Sequence, residues 1–341
     1  HEPVGIVGAL TPWNFPFNQI EKKVVPALLA GNCVVLKPSQ LTPLTAYILT
    51  EAIHAAGYPK GVFNLVTGAG SEVGNAIASH PDIDMVSFTG STPAGREVAR
   101  LGADTIKRIA LELGGKSAAL VLPGADFHLA VKVVLDTVFI NAGQTCDALT
   151  RLLVPRQDLA AIEKVILEQS ANYVFGPTEE PKTIVGTLAS KKQYEKVKAY
   201  IELGLAEGAR MILGEVPNGS PKGYYIKPTV FSDVLPSMRI SQEEIFGPVL
   251  VVTVYDTIEE GLALANDSIY GLGGAVFGPT EQAEEIARKM RTGNVFVNDY
   301  QWDVRGPFGG FKQSGIGREG GVEGFEEYFE LKTIFTKTPA K

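Results

Sequence analysis

Met85-Val86-Ser87-Phe88-Thr89-Gly90-Ser91-Thr92-Pro93-Ala94-Gly95 reads as an apolar strand that turns on a glycine straight into a helix. The same alternation runs from the start of the chain to about residue 115. Strands are expected at 4–11, Cys33–Lys37, 62–67, Met85–Thr89 and 108–113, and helices at 17–30, 43–56, 71–79 and 94–101. Strands and helices in strict alternation with short turns predict an α/β, doubly wound parallel sheet covered on both faces. Ligands of such sheets bind outside the carboxyl ends of the strands. Those ends carry Pro12-Trp13-Asn14, Lys37-Pro38-Ser39 and Thr89-Gly90-Ser91, which points to one crevice.

A second α/β unit follows, with helices expected at 129–140, 159–173, 191–207, Ile258–Asn266 and 281–292. Its strands are expected at 152–154, Arg210–Leu213, Val249–Tyr255, 274–277 and 295–298. Gly and Pro crowd 306–324, which implies a tightly turning, ordered loop. The alternation over 328–337 suits an edge strand, and such a strand often pairs with another subunit. The expected division is 1–114 as a dinucleotide-binding domain, 115–325 as a catalytic domain and 326–341 as a C-terminal oligomerisation strand.

At 341 residues the chain is long enough for two cores. A hydrophobic content of 45% and a charged content of 20% describe an ordinary soluble globular protein. A net charge of -7 leaves no broad basic surface, so nucleic acid is not expected as a partner. No apolar run approaches the roughly 18 residues of a membrane helix, so no membrane partner is expected either. Two cysteines make no disulfide framework, and with no signal peptide they fit a reducing, cytoplasmic compartment. The chain starts at His1 and enters a strand pattern at once, so an upstream segment is expected.

Asn141-Ala142-Gly143-Gln144-Thr145-Cys146 places one of the cysteines in a small, polar loop after an apolar helical run. That setting suits a reactive thiolate, although a lone Cys is more often a small hydrophobe. A nucleophilic thiol needs a base or a positive field. His1, His54, His80 and His128 stand in no motif-like setting, which argues against a Cys-His hydrolase. No paired Cys/His spacing suggests a metal. Glu112, at the end of an apolar strand and before Gly114-Gly115-Lys116, is the better base; its competing reading is an edge carboxylate paired with Lys116. Asn14, between Trp13 and Phe15 and bracketed by prolines, offers an amide donor for an oxyanion, or is simply a turn. Gly90, Ser91 and Gly95 could hold a pyrophosphate at a helix start, but they do not form the G-x-G-x-x-G fingerprint, and a plain turn reads equally well. Lys37 could meet a ribose or phosphate, or face solvent. Glu244 and Phe246 could bind sugar hydroxyls and pack on a planar ring, or lie in a surface loop. Cys33, on a strand, reads as a buried thiol.

Together the motifs are specific. Pro12-Trp13-Asn14-Phe15-Pro16, Leu36-Lys37-Pro38-Ser39, Phe88-Thr89-Gly90-Ser91, Glu112-Leu113-Gly114-Gly115-Lys116, Gly143-Gln144-Thr145-Cys146 and Glu244-Ile245-Phe246-Gly247-Pro248 resemble the aldehyde dehydrogenase superfamily in order and spacing. Pro307-Phe308-Gly309-Gly310-Phe311-Lys312 and Ser314-Gly315-Ile316-Gly317-Arg318-Glu319 continue the likeness, which covers residue 3 to about 337 and lacks only the family's N-terminal portion. The resemblance implies that Cys146 attacks an aldehyde, that Asn14 and the Cys146 N–H hold the oxyanion, that NAD or NADP takes the hydride, and that Glu112 activates water to release the acid. Lys116 is then a proton-relay partner. Trp13, Lys37, Ser39, Gln40, Gly90, Ser91, Leu113, Glu244 and Phe246 become cofactor ligands, and Phe15, Thr145, Asp147 and Trp302 line the aldehyde site. Gln40 stands where NAD-preferring members carry Glu, which implies use of NADP as well. Asp147 disfavours a carboxylate-bearing aldehyde whereas Arg305 favours one, so the small-molecule aldehyde stays unnamed. A CoA-acylating relative, which characteristically lacks the Glu base, and a truncated, non-catalytic nucleotide-binding member are the alternatives. A homodimer or homotetramer is implied.

Overall fold

The computed structural model describes residues 1–217 and 223–337. Two compact units result. The first comprises His1–Glu112, Val304–Phe308 and the chain from Ile316 onward; the second comprises Leu113–Asp303 and Gly309–Gly315.

In the first unit the alternation becomes β1 (Ile6–Leu10), α1 (Pro16–Leu29), β2 (Cys33–Lys37), α2 (Leu44–Ala55), β3 (Phe63–Leu65), α3 (Asn75–Ser79), β4 (Met85–Thr89), α4 (Thr92–Gly102) and β5 (Arg108–Glu112). These strands belong to a six-stranded sheet and run parallel in the order β5-β4-β1-β2-β3. The chain moves outward from β1 to β3, then returns to the other side of β1, so the order reverses between β1 and β4. A crevice opens at such a switch point. Register brings the strand ends level: Leu10 stands opposite Lys37 and Phe88, and Thr89 opposite Glu112.

Pro16 begins α1 at a position where its missing N–H costs nothing. Ile20, Val24 and Ala27 then fall on one stripe and pack with Val7, Ala9, Val34, Leu36 and Met85. Lys23 lies in the same stripe, fully buried, and forms an ion pair with buried Glu319. The helix expected over 71–79 is split: Gly70–Gly74 is wound as a wide π-type turn before α3. Its terminal glycines give little helical preference, which lets the turn relax.

The second unit contains β6 (Ala118–Val121), α5 (Phe127–Phe139), β7 (Arg151–Pro155), α6 (Leu159–Ser170), α7 (Lys191–Ala206), β8 (Arg210–Leu213), β9 (Thr229–Ser232), β10 (Val249–Tyr255), α8 (Ile258–Asn266), β11 (Gly273–Phe277), α9 (Thr280–Ala287) and β12 (Asn294–Val297). The sheet order is β12-β11-β6-β7-β10-β9-β8, parallel except that β8 runs antiparallel to β9. Side-chain caps explain three helix starts: Asp126 accepts from the Leu129 N–H, Ser190 from Gln193 and Thr257 from Glu260. Two helices stop short of expectation because the chain tightens into three-residue turns. Lys289 N donates to Ile286 O and Met290 N to Ala287 O after α9; Asn172 N donates to Gln169 O and Tyr173 N to Ser170 O after α6.

Two strands, β6 and β9, were not expected. Ala118-Ala119-Leu120-Val121 is buried throughout, so it shows no polar/apolar alternation, and its alanines carry little strand preference. Thr229 and Ser232 give β9 polar ends, yet both are buried and satisfied: Thr229 donates to Lys227 O and Ser232 to Glu163.

The expected block 115–325 is also interrupted, since Val304–Phe308 and the chain from Ile316 return to the first unit. Phe308 and Glu319 exchange backbone hydrogen bonds of 2.7 Å, Lys22 stands over the Phe308 ring, and Tyr328 enters the first core. The strand expected over 328–337 shrinks to Phe329–Glu330, paired antiparallel with Glu2–Pro3. Beyond this pair Leu331, Ile334 and Phe335 are 77%, 77% and 92% exposed. Residues 338–341 of the expected oligomerisation strand lie outside the described residues.

Replacing Lys23 by Ala leaves Glu319 buried without its cation. We expect a loss of about 3–5 kcal/mol, the cost of breaking a buried ion pair, read as a lowered denaturation midpoint; a loss below ~1 kcal/mol would contradict it.

Candidate active site

The level carboxyl ends of the first sheet open a cavity of about 530 Å³ lined by Leu10–Trp13, Lys37, Ser39, Gln40, Gly70, Ser71, Gly74, Asn75, Phe88–Ser91, Ala94, Glu97 and Val98. Trp13, Lys37, Ser39, Gln40, Gly90 and Ser91, read separately from the sequence, therefore line one cavity. The volume is that of a small-molecule site. Lys37 is buried, which lowers its pKa, and its ammonium donates to the Pro38 carbonyl at 2.7 Å. Ser91 precedes α4 in extended conformation and makes no side-chain capping bond. A lysine beside a helix start suits an anion, and the mixed polar and aromatic lining suits a phosphate-bearing nucleotide. Asn14 and Phe15 are half-buried in the turn between β1 and α1, Phe15 at the cap position of α1.

Glu112, the last residue of β5, is buried, and neither carboxylate oxygen has a hydrogen-bond partner. Burial first, and the neighbouring Glu319 charge second, hold its carboxyl well above the usual range; Lys23, Arg318 and Lys22 pull the other way. Sequence reasoning missed Lys23 and Glu319 as neighbours of this acid. The available signal was a lysine inside the apolar stripe Ile20, Lys23, Val24, Ala27, a place where a cation needs a partner.

In the second unit the residues singled out by the sequence gather at the amino ends of the strands. Gly114–Ser117 leads into β6, Thr145–Thr150 into β7 and Glu244–Pro248 into β10. The backbones meet almost without side chains between them. A Cβ on Gly115 would lie 2.5 Å from the Cys146 carbonyl oxygen, and one on Gly143, whose φ is +73°, would lie 2.1 Å from the Gly247 carbonyl oxygen. Asn141 and Ala142 also adopt left-handed conformations, φ 50° and 52°. Non-glycine residues held this way are strained and persist only where the surroundings over-determine them. The surroundings here are specific: Gln144 donates to Asn141 O at 2.9 Å and accepts from Ala189 N at 2.8 Å. Cys146, half-buried, sits at the end of this loop, with Thr145 and Asp147 on either side.

The Glu244 carboxylate accepts from the Gly115 N–H at 3.2 Å and lies over Gly114, where a Cβ would stand 2.5 Å from Oε1. Burial raises its pKa against the pull of Lys196 and Lys116. Phe246 has φ 61°, and its carbonyl accepts from Gln193 at 2.7 Å. Leu113 is buried and donates through its N–H to Ser314 O at 2.8 Å. Lys116 is buried with no hydrogen-bond partner at its ammonium. Burial, then the charge of Arg151, pushes it down to about 7, and Glu244 opposes this. Arg151 in turn donates to the carbonyls of Lys116, Leu264 and Ala265 at 2.8–2.9 Å, tying the entry of β6 to the end of α8. Trp302 packs edge-on to Phe296, ring centroids 4.9 Å apart, and is 42% exposed. Among the described residues no group of His, Cys, Asp and Glu could hold a metal ion, and no helix is long and apolar enough to cross a membrane.

The sequence model of the aldehyde dehydrogenase family matches residues 1–334. A 3-succinoylsemialdehyde-pyridine dehydrogenase from a Pseudomonas species is 48% identical over 336 residues, which are 98% of this chain and 70% of that protein. Among solved structures, a cysteine-to-alanine mutant of aldehyde dehydrogenase C from Pseudomonas syringae, complexed with NAD+ and octanal, is 48% identical at a TM-score of 0.97, covering 100% of this chain and 71% of that one. An aldehyde dehydrogenase from Mycobacterium tuberculosis complexed with NAD+ is 44% identical at a TM-score of 0.96, with the same coverage of 100% and 71%.

Lys116 offers a test of the buried cluster that needs no substrate. Its folded value of about 7 lies below the ordinary 10.5, so between these values the unfolded chain holds more protons and stability rises with pH. Lys116→Met removes that penalty. Its gain in melting temperature over the parent is expected to be largest near pH 6 and to shrink as pH rises toward ~10, whereas a gain independent of pH would contradict the assignment.

Proposed function

The chain belongs to the aldehyde dehydrogenase family, and on that premise we propose that it oxidises an aldehyde to a carboxylic acid through a thioester on Cys146, with NAD or NADP as acceptor. The observation that carries this reading is the Cys146 loop, three consecutive left-handed residues wedged by glycine against Gly247. A loop built at such conformational cost suits a nucleophile that must be presented in one orientation.

The Cys146 thiolate attacks the aldehyde carbon, forming the S–C bond and placing negative charge on the former carbonyl oxygen. The Asn14 amide and the Cys146 backbone N–H donate to that oxyanion. When bound, the nicotinamide ring supplies the acceptor for the hydride that leaves the same carbon, and a thioester remains. Glu112 takes a proton from water, the water oxygen attacks the thioester carbon, and the acid departs as the thiol is restored. A buried carboxyl with a raised pKa is suited to this, because it is a stronger base when ionised than one in solvent. The nearby charges of Lys23, Arg318 and Lys22 favour the ionised carboxylate that acts as the base. Lys116 has Glu244 and Glu243 among its charged neighbours, so we assign it to support the Glu244 carboxylate that takes the nicotinamide ribose, with Phe246 beside the ring. The presence of Glu112 disfavours the CoA-acylating alternative. The exposed apolar tail after Glu330 supports a homodimer or homotetramer.

Glu112→Gln is expected to keep a burst of reduced cofactor, one equivalent per site, while steady-state turnover falls about 10²–10⁴-fold. The parent's turnover should show an acidic limb above the ordinary carboxylate range, absent in Glu112→Gln, since the raised carboxyl must lose its proton before it can act. Cys146→Ala should abolish the burst. Parental turnover by either variant, or a strict need for CoA, would overturn the mechanism.

Gln40 lines the nucleotide cavity with a neutral amide that does not repel a 2′-phosphate. We expect comparable kcat/KM with NAD and NADP, and Gln40→Glu to shift the ratio toward NAD at least ~10-fold, about 1.4 kcal/mol. A hundredfold parental preference for NAD would contradict this.

A further inference from the structure

Asp147 follows Cys146 directly, so their Cα atoms are about 3.8 Å apart and a carboxylate accompanies the nucleophile. The structure shows what holds it. Half-buried Tyr300 donates its hydroxyl to Asp147 Oδ2 at 2.7 Å and lies 3.3 Å from the Asp147 carbonyl oxygen, clamping both the side chain and the backbone. Burial, then the Asp147 charge, holds the Tyr300 phenol well above its usual range, so it remains a donor; Cys146 contributes to the same field. The Tyr300 ring is itself fixed. Its centroid lies 4.2 Å from that of Phe296, and Trp302 stands nearly perpendicular to both rings, 4.9 Å from Phe296 and 6.1 Å from Tyr300. Asp147 is therefore the charge covalently tied to the position of the thiol.

We propose that Asp147, clamped by Tyr300, makes this site select aldehydes whose far end carries a cation over those whose far end carries a carboxylate, with neutral aldehydes between. The inference rests on the reading of Cys146 as the nucleophile that meets the aldehyde. A fixed carboxylate beside the reacting carbon repels an anionic substrate and attracts a cationic one, and in a partly desolvated site the effect is only weakly screened. The rings of Phe296, Tyr300 and Trp302 add a favourable surface for an alkylammonium group, since aromatic faces attract cations. Asp147 acts on the substrate directly; Tyr300 is a positioning residue that acts through Asp147.

The test uses three aldehydes of matched length on the whole protein: 4-(trimethylammonio)butanal, pentanal and 5-oxopentanoate. The parent is expected to give a kcat/KM at least tenfold higher for the cation than for the anion, with pentanal between them. Asp147→Asn should bring the extremes within about threefold, and Tyr300→Phe should narrow the ratio in the same direction by freeing the carboxylate, an effect that a purely structural role would not have. A second measurement needs no turnover. Cationic and anionic methanethiosulfonate reagents form a mixed disulfide on Cys146 with release of methanesulfinate, and peptide mapping reports the site. The cationic reagent should react at least tenfold faster in the parent, and this ratio should collapse in Asp147→Asn. A charge-blind ratio in the parent, or a ratio unchanged in both variants, would overturn the inference while leaving the proposed oxidation intact. Charge-selective labelling without oxidation of any of the three aldehydes would instead sustain the Asp147 field and count against the oxidation.

Discussion

Gly115 has no room for a Cβ because the Cys146 carbonyl oxygen occupies its place, and Gly143 has none because Gly247 does. Three chain segments that enter neighbouring strands thus touch backbone to backbone, and the placement of Cys146 and Glu244 follows from that steric constraint. With Gly143 wedged against Gly247, the preceding Asn141 and Ala142 must turn left-handed to join α5 to the loop. With Gly114 and Gly115 bare, the Glu244 carboxylate can settle over them and take the Gly115 N–H. Arg151 completes the arrangement by binding three carbonyls, so the entry to β6 cannot drift from the end of α8.

The first unit is organised by register. The five parallel strands end level around the switch point between β1 and β4, and the segments that follow β1, β2, β3 and β4 line a single cavity. Its buried charges form a separate problem. Glu112 and Glu319 are both acids taken out of water, and only nearby cations make that tolerable: Lys23 in contact with Glu319, and Lys22 and Arg318 through their fields. Two acids that share such surroundings cannot both carry charge without penalty, and this is why burial and Glu319 act together to raise Glu112.

Much of this was legible in the sequence. Cys33–Lys37, Met85–Thr89, Arg210–Leu213, Val249–Tyr255 and Ile258–Asn266 have the expected bounds, because each is a long enough apolar run or a capped amphipathic helix. Trp13, Lys37, Ser39, Gln40, Gly90 and Ser91 were legible as neighbours too, since loops that follow parallel strands must emerge on one side, whereas the Gly70–Asn75 part of the lining was not. The Ala118–Val121 strand was not, because a strand buried on both faces carries no alternation and alanine favours helix. Within the single chain the 328–337 stretch pairs only at Phe329–Glu330, since alternation reports a surface that could pair and does not name its neighbour.

By itself the sequence determined two α/β units, the first with a parallel sheet, and the motifs that tie the chain to the aldehyde dehydrogenase family. Each of these is written in local periodicity or in a short run of residues. Only the tertiary structure decided that Lys23 faces Glu319, 296 residues away, that Cys146 stands at the amino rather than the carboxyl ends of its sheet, and that Asp147 is held by Tyr300, 153 residues away. These contacts join side chains distant along the chain, and no local pattern records them. They arise from strand order and backbone approach, which are settled only when the whole core packs.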